Sequence, residues 1–182
     1  MEGKRVLITG GNSGIGLVTA RELASMGAEV ILACRDTEKT AEALKVIALK
    51  AIKPPINLPV ELSSLTSVRS VASNFLERFD SLDVLINNAG VFPSRQEFTE
   101  DGFEMQMGVN HLSHFLLTNL LLDCLKSSNS ARVISVSSTL HKKSSMDLDT
   151  FTGFTKYNAS TAYNQSKLAN VMFALELAKR LK

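Results

Sequence analysis

Thr9-Gly10-Gly11-Asn12-Ser13-Gly14-Ile15-Gly16 is the stretch that decides the fold. It follows an apolar run and leads into residues 15–26, whose apolar side chains recur at helical spacing. A strand, a glycine turn and a helix together present free N–H groups and a positive helix end to a phosphate. We expect Gly10 to turn off the strand, Gly14 to admit a diphosphate, and Gly16 to bring the helix close to the sheet. A tight turn that binds nothing is the alternative.

The composition indicates one globular domain. The chain has 182 residues, of which 45% are hydrophobic and 21% charged, with a net charge of +2. No block of Lys and Arg indicates nucleic-acid binding. Cys34 and Cys124 lie in apolar runs without the spacing of metal ligands, so we expect buried free thiols and no metal site. No signal peptide is apparent at the N-terminus. The longest candidate membrane span, residues 115–125, is too short and too polar to cross a bilayer. We therefore expect a cytoplasmic location.

The order of patterns along the chain predicts an α/β fold with a doubly wound parallel sheet. Apolar runs predict five buried strands at Arg5–Thr9, Ala28–Cys34, Leu58–Leu62, Leu82–Ile86 and Arg132–Val136. Helical spacing predicts helices at Gly14–Ser25, Thr37–Lys50, Leu65–Phe79, Phe98–Met107, Val109–Leu125 and Thr161–Leu181. Strands that alternate with helices pair in parallel through right-handed crossovers. The polar stretch from Thr139 to Ala159 shows no clear periodicity.

Three further motifs follow the glycine turn in a fixed order. They are Asn87-Asn88-Ala89-Gly90, Ser137-Ser138 and Tyr163-x-x-x-Lys167, with Asn110 between the first two. Together with the spacing Thr-Gly-x-x-x-Gly-x-Gly, this set resembles the short-chain dehydrogenase/reductase family. The resemblance extends from Lys4 to Lys182 and implies a Rossmann fold that binds a nicotinamide dinucleotide. It favours this family over sugar-nucleotide epimerases, which usually carry Gly-x-x-Gly-x-x-Gly and a larger substrate domain.

The resemblance implies a coenzyme site and four catalytic residues. The coenzyme would contact Gly10, Asn12, Ser13, Gly14, Ile15, Gly16, Arg35, Glu61, Leu62, Asn88, Ala89, Gly90, Tyr163 and Lys167. The catalytic residues would be Asn110, Ser138, Tyr163 and Lys167. Tyr163 would exchange a proton with the substrate oxygen, Ser138 would hold that oxygen, and Asn110 would hold a water chain linked to Lys167. Glu61 stands where the family usually has Asp beside the adenine, and it keeps the acceptor on a side chain that is longer by one methylene.

The spacing of Tyr163 and Lys167 suits proton transfer. The two residues are four apart on a predicted helix, so they share one face. A free tyrosine has a pKa of about 10, too high for a base near neutral pH. A neighbouring ammonium and the positively charged nicotinamide ring favour the phenolate form. A surface pair on an amphipathic helix is the alternative when this motif is taken alone.

The residues after the second strand indicate which coenzyme is used. A carboxylate there suits a free ribose 2′-OH, whereas an arginine suits a 2′-phosphate. Here Arg35 precedes Asp36, and Lys39 lies one turn further on, so we expect NADP(H) to be favoured over NAD(H). In the alternative, Asp36 caps the next helix and Arg35 is only solvated.

Two departures from the family are visible. Ser138 and Tyr163 are further apart than usual, which resembles retinol dehydrogenases, as do Ala33–Asp36 and Ser166–Asn170. The extra residues either border a lipophilic substrate or form an ordinary surface loop. In family members, the helix that corresponds to the last helix of this chain is followed by a sixth strand, a Pro-Gly loop, a lid and a seventh strand. We therefore expect residues 1–182 to be a single dinucleotide-binding domain, truncated at its C-terminus and lacking the last one or two strands.

These observations predict an oxidoreductase of the retinol-dehydrogenase-like branch. It would interconvert an alcohol and a carbonyl compound by hydride transfer with NADP(H). The alternative is a catalytically silent, truncated member that binds a nucleotide or a partner without turnover. A small-molecule substrate is expected as partner, and the resemblance implies a homodimer formed through the helices bearing Asn110 and Tyr163. The apolar residues 112–125 agree with this, but they would equally suit burial against the sheet.

Overall fold

The computed structural model describes residues 1–181 and contains one parallel sheet of five strands in the order β3-β2-β1-β4-β5. The strands are β1 (Arg5–Thr9), β2 (Glu29–Cys34), β3 (Ile56–Pro59), β4 (Val84–Asn87) and β5 (Arg132–Ser135). Every neighbouring pair is parallel. The strand order reverses between β1 and β4, and ligands of such sheets bind at the carboxyl ends of the strands at this point. The predicted Rossmann fold is confirmed.

Seven α-helices connect and flank the described strands. They are α1 (Gly14–Ser25), α2 (Glu38–Ala48), α3 (Leu65–Leu76), α4 (Met105–Met107), α5 (Ser113–Leu120), α6 (Leu122–Lys126) and α7 (Ala159–Arg180). A π-helical segment, Gly108–Leu112, joins α4 to α5, and two 3₁₀ helices, Thr139–Lys143 and Leu148–Thr152, precede α7. Within residues 1–181, no helix combines the length and the apolar character that a membrane crossing requires.

The sheet has a hydrophobic core on each face because side chains alternate along its strands. Val6 and Ile8 point to one face and pack with α1 and α2. Leu7 points to the opposite face and packs with α3, α5 and α6, where Phe75 is fully buried. This arrangement explains why β1 is apolar without alternation. Cys34 and Cys124 are buried free thiols, as predicted.

Several of the predicted elements were wrong in position or extent. The third strand is Ile56–Pro59, not Leu58–Leu62, because Asn57 bonds the Cys34 backbone N–H and C=O at 3.2 Å each and sets the register. The predicted helix Phe98–Met107 exists only from Met105. Before it, Phe98 and Glu104 form an isolated bridge around a turn in which Gly102 has φ +81°.

The predicted continuous helix Val109–Leu125 was also wrong. The chain passes through the π-helical segment before α5, and α5 ends at Leu120 with Leu121 outside helical geometry (φ −95°, ψ 4°). The last helix begins two residues earlier than predicted, at Ala159, because the Asn158 side chain caps it by accepting a hydrogen bond from the Thr161 N–H at 3.0 Å.

Candidate active site

The glycine turn packs against the loop that follows β4. Gly10 has φ +65°, and a Cβ on it would lie 2.9 Å from the Ala89 Cα. A Cβ on Gly16 would clash with the Gly10 backbone carbonyl oxygen and lie 2.5 Å from the Asn88 Nδ2, so only glycine fits there. Gly14 has φ +52°, and a Cβ on it would meet no atom within 4 Å. Gly10 and Gly16 therefore serve close packing, whereas the side of the turn at Gly14 is open.

The N-terminus of α1 differs from those of the other long helices. Thr37, Ser64 and Asn158 cap α2, α3 and α7 with their side chains. Ser13 precedes α1 but its hydroxyl makes no capping bond within the described chain, and the first turn carries no acidic residue. The N–H groups of this turn and the positive helix end are thus suited to an anion. A diphosphate fits this end of the site.

A cleft of about 900 Å³ opens at the carboxyl ends of the strands. It is large enough for a dinucleotide, and its wall includes most of the predicted coenzyme contacts. They are Gly10, Asn12, Ser13, Ile15, Gly16, Arg35, Glu61, Leu62, Asn88, Ala89, Gly90, Tyr163 and Lys167. Gly14, Asn110 and Ser138 do not line this cleft.

Arg35 and Glu61 lie at one end of the cleft. The Arg35 Nη1 is 3.9 Å from the Glu61 Oε2, and both side chains are largely exposed. The other carboxylate oxygen, Oε1, accepts hydrogen bonds from the Ser63 N–H at 3.1 Å and from its hydroxyl at 3.0 Å. Arg35 therefore lies beside a carboxylate, at the outer limit of an ion pair, and is largely exposed to solvent. Thr37, and not Asp36, caps α2.

Asn12 connects the glycine turn to the loop that carries Arg35. Its Nδ2 donates to the Thr40 hydroxyl at 2.8 Å, and this hydroxyl donates to the Arg35 carbonyl at 2.8 Å. Thr40 is buried, which shields both bonds from water. The network holds two parts of the coenzyme cleft at a fixed separation.

A second buried network joins Thr9 to His114. The Thr9 hydroxyl oxygen accepts hydrogen bonds from the N–H groups of Asn88 and Ala89 at 3.0 Å each. The same oxygen is 2.8 Å from the His114 Nε2, while the His114 Nδ1 is 3.1 Å from the Asn110 carbonyl oxygen. A carbonyl only accepts, so Nδ1 carries the ring proton and Thr9 donates to Nε2. Burial lowers the pKa of His114 to about 4, which keeps it neutral.

Asn110 lies in the π-helical segment, a distortion that is frequent at functional sites. Its Oδ1 accepts from the Val91 N–H at 2.7 Å. Its Nδ2 donates to the Val91 carbonyl at 3.2 Å and to the Ser166 hydroxyl at 3.0 Å. The side chain is fully buried and fully bonded, so it positions the chain after Gly90.

Tyr163 and Lys167 lie on α7 and face the cleft. The Lys167 Nζ donates to the Val136 carbonyl at 3.1 Å and is 5.5 Å from the centre of the Tyr163 ring. Burial lowers the pKa of Lys167. The half-buried Tyr163 ring meets the exposed Phe92 ring edge-on, with 5.1 Å between centroids. A cation, a phenol and an apolar surface thus adjoin one another.

The two serines after β5 have different partners. The Ser137 hydroxyl donates to the Lys167 carbonyl at 2.8 Å, which ties β5 to α7. The Ser138 hydroxyl accepts from the Leu140 N–H at 3.3 Å and caps the first 3₁₀ helix. The Ser137 hydroxyl therefore stabilises the fold, whereas the Ser138 hydroxyl, which here only accepts a hydrogen bond, can still donate its O–H to a substrate oxygen.

The long segment before Tyr163 folds against its neighbours. The Phe151 carbonyl accepts from the Glu104 N–H at 2.8 Å, and the Phe154 N–H donates to the Gln96 Oε1 at 2.7 Å. The Gln165 Nε2, on α7, donates to the Thr150 hydroxyl at 2.6 Å. The segment is thus attached both to α7 and to residues 96–106.

Several positioning residues were not identified from the sequence. Asn170 donates from Nδ2 to the carbonyls of Asn110 at 3.1 Å and Val136 at 3.2 Å, which joins α7, the π-helical segment and β5. His114 is four residues after Asn110, and Asn170 is three after Lys167. Residues three or four apart share one face of a helix, so this spacing from a candidate site residue could have identified both from the sequence.

Comparison with known proteins places this arrangement in a family. A family model described as short chain dehydrogenase matches residues 4–182. Retinol dehydrogenase 13 of Homo sapiens is 51% identical over 181 residues, an alignment that covers 98% of this chain and 55% of that protein. Retinol dehydrogenase 14 of Homo sapiens is 48% identical, with coverages of 100% and 58%. The chain spans little more than half the length of these curated relatives.

Solved structures share the fold. A crystal structure of an uncharacterized protein from Mycobacterium paratuberculosis has a TM-score of 0.87 and 44% identity, covering 99% of this chain and 63% of that one. The RhlG/NADP active-site complex from Pseudomonas aeruginosa has a TM-score of 0.80 and 30% identity, with coverages of 100% and 68%.

Proposed function

Because the chain belongs to the short-chain dehydrogenase family, we propose that it transfers a hydride between NADP(H) and an alcohol/carbonyl pair. The observation that carries this proposal is the shared cleft. It joins an uncapped helix N-terminus and a glycine turn at one end to Tyr163 and Lys167 at the other.

We assign the coenzyme to this cleft from the residues that line it. The turn from Gly10 to Gly16 would hold the diphosphate, and Arg35 with Lys39 would hold the 2′-phosphate. The structural relative from Pseudomonas aeruginosa is an NADP complex, which is consistent with this choice. The bound coenzyme supplies or accepts the hydride.

The proton transfer is assigned to this chain's own residues. Tyr163 would donate its phenolic proton to the developing substrate oxygen during reduction and take it back during oxidation. The buried Lys167 ammonium, held by the Val136 carbonyl, would stabilise the phenolate that forms. Ser138, whose O–H is free to donate, would hold the substrate oxygen. Asn110 would act as a positioning residue, because it accepts a hydrogen bond from the Val91 N–H and so holds the segment after Gly90 in place.

A lipophilic substrate is the class that these residues favour. Phe92 is 54% exposed beside Tyr163, although a phenyl ring is usually buried. Two relatives are named retinol dehydrogenases, and retinol is a lipophilic alcohol. We therefore expect apolar aldehydes or ketones to be reduced faster than small polar ones.

Replacement of Tyr163 by Phe tests the proposal. We expect kcat for NADPH-dependent reduction of an apolar aldehyde to fall by about 10²-fold or more, because the ring stays but the proton donor is lost. NADPH affinity should change less than threefold, which separates chemistry from binding. Leu49→Ala, which follows α2 and is 84% exposed, is the control and should leave kcat unchanged. Binding of NADPH by the wild-type chain without turnover of any carbonyl compound would instead favour the silent alternative.

A homodimer through α5 and α7 also forms part of the proposal. The outer faces of these helices expose Phe115, Met172 and Leu175, which are 47%, 49% and 69% exposed. Phe115 contacts Phe173 across the two helices, with ring centroids 5.4 Å apart. Light scattering should give twice the monomer mass, and Phe115→Glu should halve it. A monomeric wild type would contradict this part. The cytoplasmic location stays a prediction.

A further inference from the structure

Glu61 occupies an unusual position for an acidic residue. It lines the same end of the cleft as Arg35 and Lys39, the two cations assigned above to the 2′-phosphate. One oxygen is fixed by Ser63, so the other, Oε2, faces the Arg35 guanidinium. The Glu61 N–H donates to the Ser67 hydroxyl at 2.9 Å, which anchors the turn to α3. The carboxylate is therefore held beside Arg35 rather than free to swing away.

Resting on the proposed function, we infer that Glu61 is a specificity-determining residue that competes with the coenzyme's 2′-phosphate for Arg35. Arginine binds phosphate through a planar fork of N–H donors. Because the Glu61 Oε2 lies 3.9 Å from one nitrogen of this fork, a phosphate bound there would lie close to the negative charge of the carboxylate and would compete with it for that nitrogen. A free 2′-OH carries no charge, so it is not repelled by the carboxylate and does not compete with it for Arg35. Glu61 thus reduces the preference for NADP(H) that Arg35 and Lys39 create.

The length of the side chain matters for this contact. The pair already stands at 3.9 Å, near the outer limit for an ion pair. Aspartate is one methylene shorter, so the contact would be lost in Glu61→Asp although the negative charge and an acceptor would remain. Glu61→Gln keeps the length and the acceptor for Ser63 but removes the charge. The two variants therefore separate reach from charge.

The competition should be modest in size. Both side chains are exposed, 73% for Arg35 and 42% for Glu61, and exposed ion pairs contribute little. We expect Glu61→Gln to tighten binding of adenosine 2′,5′-bisphosphate by about two- to fivefold. Lys39 takes part in no ion pair within residues 1–181, so its contribution should not depend on Glu61.

Calorimetric titration at low salt with adenosine 2′,5′-bisphosphate and with adenosine 5′-monophosphate, which lacks only the 2′-phosphate, tests the inference. We expect Glu61→Gln to raise the ratio of the bisphosphate affinity to the monophosphate affinity by about two- to fivefold, and Glu61→Asp, which keeps the negative charge, to raise this ratio by less. The gain should disappear when Arg35→Gln is also present, and should persist when Lys39→Gln is present instead. At about 0.5 M NaCl the gain should shrink, because salt screens exposed charges.

Three results would overturn the inference, and they are distinguishable from failure of the proposed function. Weaker binding of both ligands by Glu61→Gln would mean that the carboxylate serves the adenine instead. A gain that persists with Arg35→Gln would mean that the ion pair is not involved, and unchanged binding of both ligands would mean that Glu61 is neutral. If the wild type bound neither ligand, the coenzyme site itself would be refuted together with this inference.

Discussion

Acid should destabilise this protein through His114. The ring is 2% exposed and is held neutral between the Thr9 hydroxyl and the Asn110 carbonyl. A proton on Nε2 would remove the acceptor of the Thr9 O–H and bury a charge. The folded protein therefore resists protonation, whereas the unfolded chain does not.

The magnitude follows from linkage between protonation and folding. The pKa of His114 is lowered from 6.5 to about 4 on folding. Above pH 6.5 both states are neutral and no stability is lost. Between pH 6.5 and 4 the unfolded state binds one more proton, so the free energy of unfolding falls by about 1.4 kcal/mol per pH unit. The loss is about 2 kcal/mol at pH 5 and approaches about 3 kcal/mol below pH 4.

The assay is urea unfolding at several pH values between 7.5 and 4.5, for the wild type and His114→Asn. The variant keeps a donor for the Asn110 carbonyl but does not titrate, so it should be less stable at pH 7.5 and lose less on acidification. Other groups cancel in the comparison because both proteins contain them. Burial lowers the pKa of His111, which adds to the loss, and raises that of Glu104, which opposes it. Equal pH dependence of the two proteins would refute the reasoning.

Three further predictions concern binding and stability. Gly16→Ala should weaken NADPH binding by about tenfold or more, because its Cβ would lie 2.5 Å from the Asn88 Nδ2, whereas unchanged affinity in a fluorescence titration would contradict the packing described. Phe75→Ala should lower the free energy of unfolding by about 3–5 kcal/mol, since the ring is fully buried, and a loss below about 1 kcal/mol would be inconsistent with that burial. Asn158→Ala should cost about 1 kcal/mol through loss of the α7 cap, and a circular-dichroism melt that matches the wild type would disprove it.

The central elements of the fold were predictable because their signals are local. β1 and β2 have apolar runs, and a glycine turn and α1 lie between them, which is the helical crossover that parallel strands need. The errors lie where a distant contact decides the outcome. Because Asn57 is polar, a search for apolar runs places the predicted third strand too far along the chain, toward Leu62. In the structure the Asn57 amide is hydrogen-bonded to the Cys34 backbone on the neighbouring strand.

Helix irregularities were likewise invisible in the pattern. An apolar face continues through residues 109–125, but periodicity does not show that the chain forms a π-helical segment around Asn110 or breaks at Leu121. The π-helical segment places the Asn110 amide against the Val91 backbone. A straight helix was predicted because helical spacing reports which face is buried, not how the backbone bonds are arranged.

The candidate site was predictable as a set of motifs but not as a network. Motifs named the residues that line the cleft, from Gly10 to Lys167. The groups that hold them were missed, because Thr9 and His114 are 105 residues apart in the chain. The pairing of Arg35 with Glu61 was missed for the same reason, since each was considered only for its own contact with the coenzyme.

Titration of the purified chain with NADPH, followed by coenzyme fluorescence, tests the central claim most directly. The cleft described here predicts saturable binding, with an affinity at least tenfold lower in Gly16→Ala. A sample shown by circular dichroism to be folded that gives no response to either NADPH or NADH would contradict the account.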